Sequence, residues 1–199
     1  MKFTRKLLLA ALFSLVVILI WYNQLIKSVS RPYLIRNGVV KVAESQNVPD
    51  QTLIYPNLGI IAPVSASNQY SPFSLRDWNS ISSLLEKGVG VFYNGNTIDE
   101  STYVYAVGHS TASKPQAFAS IFASLNSAQT NDEVILKIAG QEYVYKVTDK
   151  KILSPYDTNG FSEFFSDSKD QNNHRIALVT CWPLFTTKNR VVVIADRLN

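Results

Sequence analysis

Three side chains in this sequence could together carry covalent chemistry. Cys181 lies in the apolar run Ala-Leu-Val-Thr-Cys-Trp-Pro, residues 177–183, and is the only cysteine among 199 residues. A thiol attacks well only as the thiolate, so it needs a base or a fixed positive charge nearby. His109, in Val-Gly-His-Ser, could carry the proton, and Arg190, just ahead of Val-Val-Val-Ile, is permanently cationic. A nucleophile, a proton carrier and a fixed cation are the requirements of acyl transfer through a covalent intermediate. Each residue also has a plain structural reading. A lone cysteine packs as a small hydrophobe. A histidine at a strand end can be a satisfied polar group, and Arg190, close to Lys188, can be a surface charge. The second histidine, His174, stands in the polar stretch Asp-Gln-Asn-Asn-His-Arg and reads as solvated.

Seventy-two residues separate His109 from Cys181 and nine separate Cys181 from Arg190, so only the fold can unite them. The elements around them read mostly as strands. Tyr103, Tyr105, Val107 and His109 alternate with Val104, Ala106 and Gly108; Val134, Leu136 and Ile138 alternate in Val-Ile-Leu-Lys-Ile, and Tyr143, Tyr145 and Val147 alternate in Glu-Tyr-Val-Tyr-Lys-Val-Thr. Leu58–Val64, Ile176–Cys181 and Val191–Ala195 are further apolar runs. Period-2 runs rich in β-branched and aromatic residues, separated by turns, indicate an all-β sandwich or barrel. Two stretches read as helical: Asp77–Glu86, stopped by Gly88, and a stripe of Phe118, Ile121, Phe122 and Leu125. Alternation places Ala177, Val179 and Cys181 on one face and Leu178, Thr180 and Trp182 on the other. Pro183 cannot donate to a ladder, so pairing should stop there and leave the thiol at the rim. Trp182 can flank a substrate groove or cap the core. The 20-residue segment Ser154–Asn173 is long for a loop in a compact domain, which marks it as functional or mobile.

Charge is unevenly placed. Residues 1–41 hold seven basic and no acidic side chains, whereas the remainder holds 12 basic and 15 acidic ones. The overall +4 is therefore a property of the N-terminus, and no basic stripe with interleaved aromatics suggests nucleic-acid binding. With one cysteine there is no intramolecular disulfide, and an apolar fraction of 46% is enough for a packed core. Leu7 to Ile26 is 20 residues without a charge, bounded by Lys6 and Lys27, which is about the length a helix needs to cross a bilayer. Trp21 and Tyr22 suit an interfacial belt. The alternative is a cleaved signal peptide, with Ser28-Val29-Ser30 as a small-x-small triplet; Arg31-Pro32 directly after it makes a poor cleavage site. Basic residues flank the span on both sides, so charge alone does not orient it. The chain divides into a tip and anchor at 1–26, a polar stalk with room for some helix at 27–51, and a folded domain at 52–199.

Ala-Leu-Val-Thr-Cys, with an arginine nine residues on and Gly-His-Ser upstream, resembles the sortase family of cysteine transpeptidases. The family's cysteine motif is Thr-Leu-x-Thr-Cys, and here alanine replaces the first threonine. The stretch LLEKGVGVFYNGNTIDESTYVYAVGHST is similar to the family's approach to its histidine. NDEVILKIAGQEYVYKVTDKKILSP is similar to the hairpin and strand that follow. The resemblance covers about residues 52–199. It implies a closed eight-stranded sortase-type β-barrel with a few short helices, preceded by an N-terminal transmembrane helix. It implies Cys181 as nucleophile, His109 as acid/base and Arg190 as electrostatic stabiliser, with Thr180 and Trp182 at the bound substrate.

The resemblance further implies a single-pass bacterial membrane protein with its catalytic domain outside. Its partners would be secreted proteins with a C-terminal sorting signal of the Leu-Pro-x-Thr-Gly type. The acyl acceptor would be an amine of a cell-wall precursor or a pilin lysine. Pilin-polymerising members often carry a second membrane segment and an Asp-Pro-aromatic lid. The ending Asp-Arg-Leu-Asn and the lack of Asp-Pro in residues 27–60 lean toward wall anchoring. No cofactor is expected. Asp99, Glu100, Asp157 and Glu163 are loop acids of the kind that bind calcium in some sortases, but they read as solvated and no metal is expected. Ser154–Asn173 is the candidate specificity loop. Two other functions share these residues: an inactive membrane-anchored binding domain, and a thiol hydrolase that releases its acyl group to water. A papain-like protease does not fit, since its cysteine precedes its histidine.

Overall fold

The structure, a computed structural model, describes residues 2–40, 48–68, 78–101, 103–111, 117–161 and 174–198. Its eight strands are β1 (Thr52–Tyr55), β2 (Ile60–Ser67), β3 (Val89–Tyr93), β4 (Tyr103–Val107), β5 (Glu133–Ile138), β6 (Gln141–Leu153), β7 (Arg175–Trp182) and β8 (Asn189–Arg197). They close into a barrel in the order β1-β2-β3-β4-β7-β8-β6-β5. The pairs β2–β3 and β4–β7 are parallel and the others antiparallel. Of the sandwich and the barrel that the alternating runs allowed, the fold is the closed barrel that the resemblance implied, and closure leaves no unpaired sheet edge.

Alternation along the strands sorts side chains to two cores. Leu53, Val91, Leu136, Tyr145, Leu178 and Val193 fill the barrel interior. Val107, Val179, Val192 and Ile194 face outward, where Ile81 and Leu85 of helix α2 (Trp78–Leu85) cover them. This second core takes in Phe92 of β3, whose first four residues are all buried, and all four residues of β1 are buried as well. Asp77, the expected start of α2, lies outside the described residues, as does the side chain of Trp78.

The apolar stripe at 118–125 is not an α-helix. Residues 117–124 form consecutive turns, followed by a 3-10 helix at Leu125–Ser127. The reason is one hydrogen bond. The Phe122 amide donates to His109 O at 2.9 Å, and Phe118 O is taken by the Ile121 amide. The bond from residue 122 to residue 118 that an α-helix requires is thereby lost. His174 also differs from expectation. It is half-buried, with Nδ1 2.6 Å from Ser101 O, tying the start of β7 to the approach to β4.

The N-terminal helix α1 (Lys2–Arg36) is long and apolar enough to cross a membrane, by length and composition. It continues through the first part of the segment read as a stalk. There Arg36 pairs with Asp132, with Nη2 2.6 Å from Oδ2.

Candidate active site

The register of the barrel brings together the residues that sequence alone could not. β4 and β7 pair in parallel from Tyr103↔Arg175 to Val107↔Val179, always 72 positions apart. His109 and Cys181 share that offset, and the ladder continues past the end of β4, since the Gly108 amide donates to Val179 O at 3.2 Å. On its other side β7 pairs with β8, and Cys181 is directly opposite Arg190. Directly opposed residues share a face of the sheet. Cys181 follows Val179 by two positions and Arg190 precedes Val192 by two, so both belong to the outward face that α2 covers further down. His109 follows Val107 on that face. Cys181, His109 and Arg190 thus lie at one end of three adjacent strands, on one side of the sheet. The pairing of β7 ends at Trp182, ahead of Pro183, as the proline predicts.

Several bonds fix this end of the barrel. Thr180 is buried, and its hydroxyl donates to Gly108 O at 2.8 Å. That places the Thr180 side chain between the strands that carry His109 and Cys181. Trp182, half-buried, packs against the barrel interior. Gly108 has no room for a side chain: a Cβ there would meet the Phe122 ring at 2.7 Å. Beyond β7, the Phe185 amide donates to Thr111 Oγ1 at 3.0 Å, joining the loop after Cys181 to the segment after His109. Arg190 Nη1 donates to Thr187 O and Asn189 O, each at 3.0 Å, so the guanidinium also steadies the turn into β8.

Thr180→Val is expected to remove the strap and leave Gly108 O unpaired, lowering stability by about 1–3 kcal/mol, whereas Thr180→Ser should retain it. Equilibrium denaturation of the full chain compares the two.

The electrostatics favour a neutral resting pair. Burial pushes the Cys181 thiol up, and the Arg190 charge pulls it part of the way back. Burial lowers the His109 imidazole, and the Glu86 carboxylate at the end of α2 opposes this. Glu86 was invisible as a site residue in the sequence, where it closes an ordinary amphipathic helix. Thr111 and Gly108 were equally silent, since their roles depend on strand register.

The loop acids serve elsewhere. Asp99 Oδ1 pairs with Arg197 Nη1 at 2.8 Å and Asp99 Oδ2 accepts from the Tyr143 hydroxyl at 3.2 Å. Glu100 accepts from the Asn96 amide and Asp157 from the Gly160 amide. Glu163 lies outside the described residues. Among the described residues, no three His, Cys, Asp or Glu side chains converge as a metal-binding set. The candidate specificity loop is described only to residue 161, and there Leu153 and Phe161 pack onto the outer core beside Val179 and Val192.

Comparison with protein-family models matches residues 55–198 to the sortase domain. A comparison with curated protein sequences gives no significant match. Among solved structures, sortase C-1 from Actinomyces oris superimposes with a TM-score of 0.55 at 18% identity, covering 89% of this chain and 99% of that one. Sortase C1 from Streptococcus suis gives 0.53 at 17% identity, with 76% and 74% covered. Sortase A from Corynebacterium diphtheriae gives 0.52 at 19% identity, and the match spans 78% of this chain and 63% of that one. At these identities the likeness is one of fold.

Proposed function

Because the chain belongs to the sortase family, we propose that it is a cysteine transpeptidase acting through Cys181, His109 and Arg190. The observation that supports this reading is the register that aligns the three on one face at one barrel end. In the proposed cycle, Cys181 Sγ attacks the carbonyl carbon of the scissile bond as the thiolate, forming C–S. The oxygen that becomes negative accepts hydrogen bonds from Arg190. The His109 imidazolium protonates the departing amine as C–N breaks. An incoming amine then attacks the thioester and passes its proton to His109, and the thiolate leaves. Splitting the exchange in this way replaces one difficult step with two easier ones.

The substrates of this reading are secreted proteins bearing a C-terminal Leu-Pro-x-Thr-Gly-type signal, cut after the threonine. The acceptor is an amine of the cell-wall precursor or a pilin lysine. Residues 1–26 serve as tip and anchor, with 7–26 crossing the bacterial cell membrane, and 52–199 form the catalytic domain on its outer side. The apolar helix α1 supports that placement, and Ser154–Asn173 is assigned to motif selection.

The test uses the full chain in detergent, a library of sorting-signal peptides and a glycine-type amine, with products read by mass spectrometry. The proposal expects amine-joined product for one motif class. Release to water alone, at every amine concentration, would make the protein a thiol hydrolase. No processing of any peptide would favour an inactive binding domain. Exchanging 154–173 for another sortase's loop is expected to change the preferred motif; an unchanged preference would remove the loop from that role.

A further inference from the structure

The end of α1 is built into the barrel. Leu25, Pro32 and Ile35 are buried and Ser28 is half-buried, a single stripe at helical spacing. Ser28 Oγ lies 3.2 Å from Ser120 Oγ. Gly59, just before β2, is the floor of the contact: a Cβ there would fall 2.5 Å from Arg31 Nε and 2.9 Å from Ile35 Cδ1. At the far end Arg36 grips Asp132 with both nitrogens, Nη1 to Oδ1 at 3.0 Å and Nη2 to Oδ2 at 2.6 Å. Oδ2 accepts two further bonds, from the Tyr55 hydroxyl and the Gln129 amide, each at 2.9 Å. Asp132 and Tyr55 are buried, so this carboxylate is enclosed by donors with Arg36 as its cation.

A neighbouring side of the same helix, roughly 110° around its axis, remains uncovered. Ile26, Val29 and Tyr33 form a second stripe there, 48%, 43% and 71% exposed. Lys27, also exposed, projects from another side of the helix at the same level. An exposed apolar stripe beside a long cationic side chain fits the boundary between headgroups and acyl chains, where the charge reaches outward to the lipid phosphates. The stripe also continues without a break from the apolar run Leu7–Ile26. Leu25, inside that uncharged run, is already buried, and Ser28, two residues past its end, touches Ser120, which leaves no length for a flexible tether.

We propose that α1 is a rigid mast that seats the barrel directly on the bilayer, with segment 117–121 at lipid headgroup level and the Ile26–Val29–Tyr33 stripe in the interface. This rests on the reading of 7–26 as a membrane span. The consequence for catalysis is positional. Ser120 meets α1 at Ser28, and Phe122, two residues on, is bonded to His109 O. The catalytic end is thus held at a fixed height over the membrane, and substrate must present its scissile bond there.

Depth measurement tests this with the full chain in phosphatidylcholine–phosphatidylglycerol vesicles. In a Cys181→Ala background, a fluorophore is placed at Ala117→Cys or at Ser127→Cys, both exposed positions. Ser127 O is bonded to Arg36, eight residues beyond Ser28, or about 12 Å further along the helix axis. Quenching by headgroup-nitroxide lipid is expected to be strong at 117 and weak at 127. An insertion of about six Gly and Ser residues between Ile26 and Lys27, which behaves as flexible coil, should cause loss of the quenching at 117. In the Cys181 enzyme the same insertion should leave turnover of a soluble peptide unchanged. Equal quenching at both sites in a chain that resists alkaline extraction would overturn the mast while keeping the span. Extraction of the chain by alkali would overturn both.

Discussion

Replacing Cys181 by alanine is expected to abolish both peptide cleavage and transfer while leaving the barrel intact. The chain has no other thiol to take over the nucleophile's part. Cys181 is only half-buried at the rim, past the last fully buried residue of β7. Truncation to alanine removes one sulfur, which should change stability by no more than about 1 kcal/mol. The variant should therefore melt close to the parent and bind peptide, but form neither product. Product formation and a thermal melt on the same preparation check this; residual transfer above background would remove Cys181 from the nucleophile's role.

Arg190→Met is expected to lower kcat/KM by about 10²–10³, the usual cost of losing one oxyanion donor, and to move the pH profile in a defined direction. Burial raises the Cys181 thiol and lowers the His109 imidazole. Between these two titrations the pair rests mostly neutral, and thiolate with imidazolium is the minor form. That minor form is constant across the plateau and falls tenfold for each unit by which the two values move apart. The Arg190 charge pulls the thiol down. Its removal should shift the alkaline limb of the bell to higher pH and lower the plateau, while the acid limb stays in place. Arg190→Lys keeps the charge without the planar fork, so its alkaline limb should move less than that of the methionine variant. A pH series of kcat/KM for the three proteins separates the contributions. An unmoved alkaline limb in Arg190→Met would show that the guanidinium does not act on the thiol.

The period of two was legible in β5 and β6, whose outer faces are partly exposed, and β4, β7 and β8 were legible as runs of β-branched and aromatic residues, although both of their faces are buried. β1 and β3, of four and five residues and with both faces covered, were too short to stand out. The stripe at 118–125 carried a helical period for a different reason. Ile121, Phe122 and Leu125 do pack into the barrel core, but His109 O takes the amide that would have continued a helix. The identities of Cys181, His109 and Arg190 could be read from residue types and a resembling motif. Their convergence depends on the parallel register of β4 on β7, which local pattern does not encode. Thr180 has a part that motif reading did not include: its hydroxyl, buried and bonded to Gly108 O, straps β7 to the end of β4. Residues 27–36 looked like a polar stalk because their buried face is small: Ser28, Pro32 and Ile35, closed by an ion pair whose acid lies 96 positions away.

The most direct test of the central claim is intact-mass spectrometry of the full chain, acid-quenched during turnover of a sorting-signal peptide. The account predicts a thioester on Cys181 carrying the N-terminal part of the peptide. Added amine should discharge it, with the amine-joined product appearing as the adduct decays. Turnover with no adduct at Cys181, or an adduct on any other residue, would contradict the account.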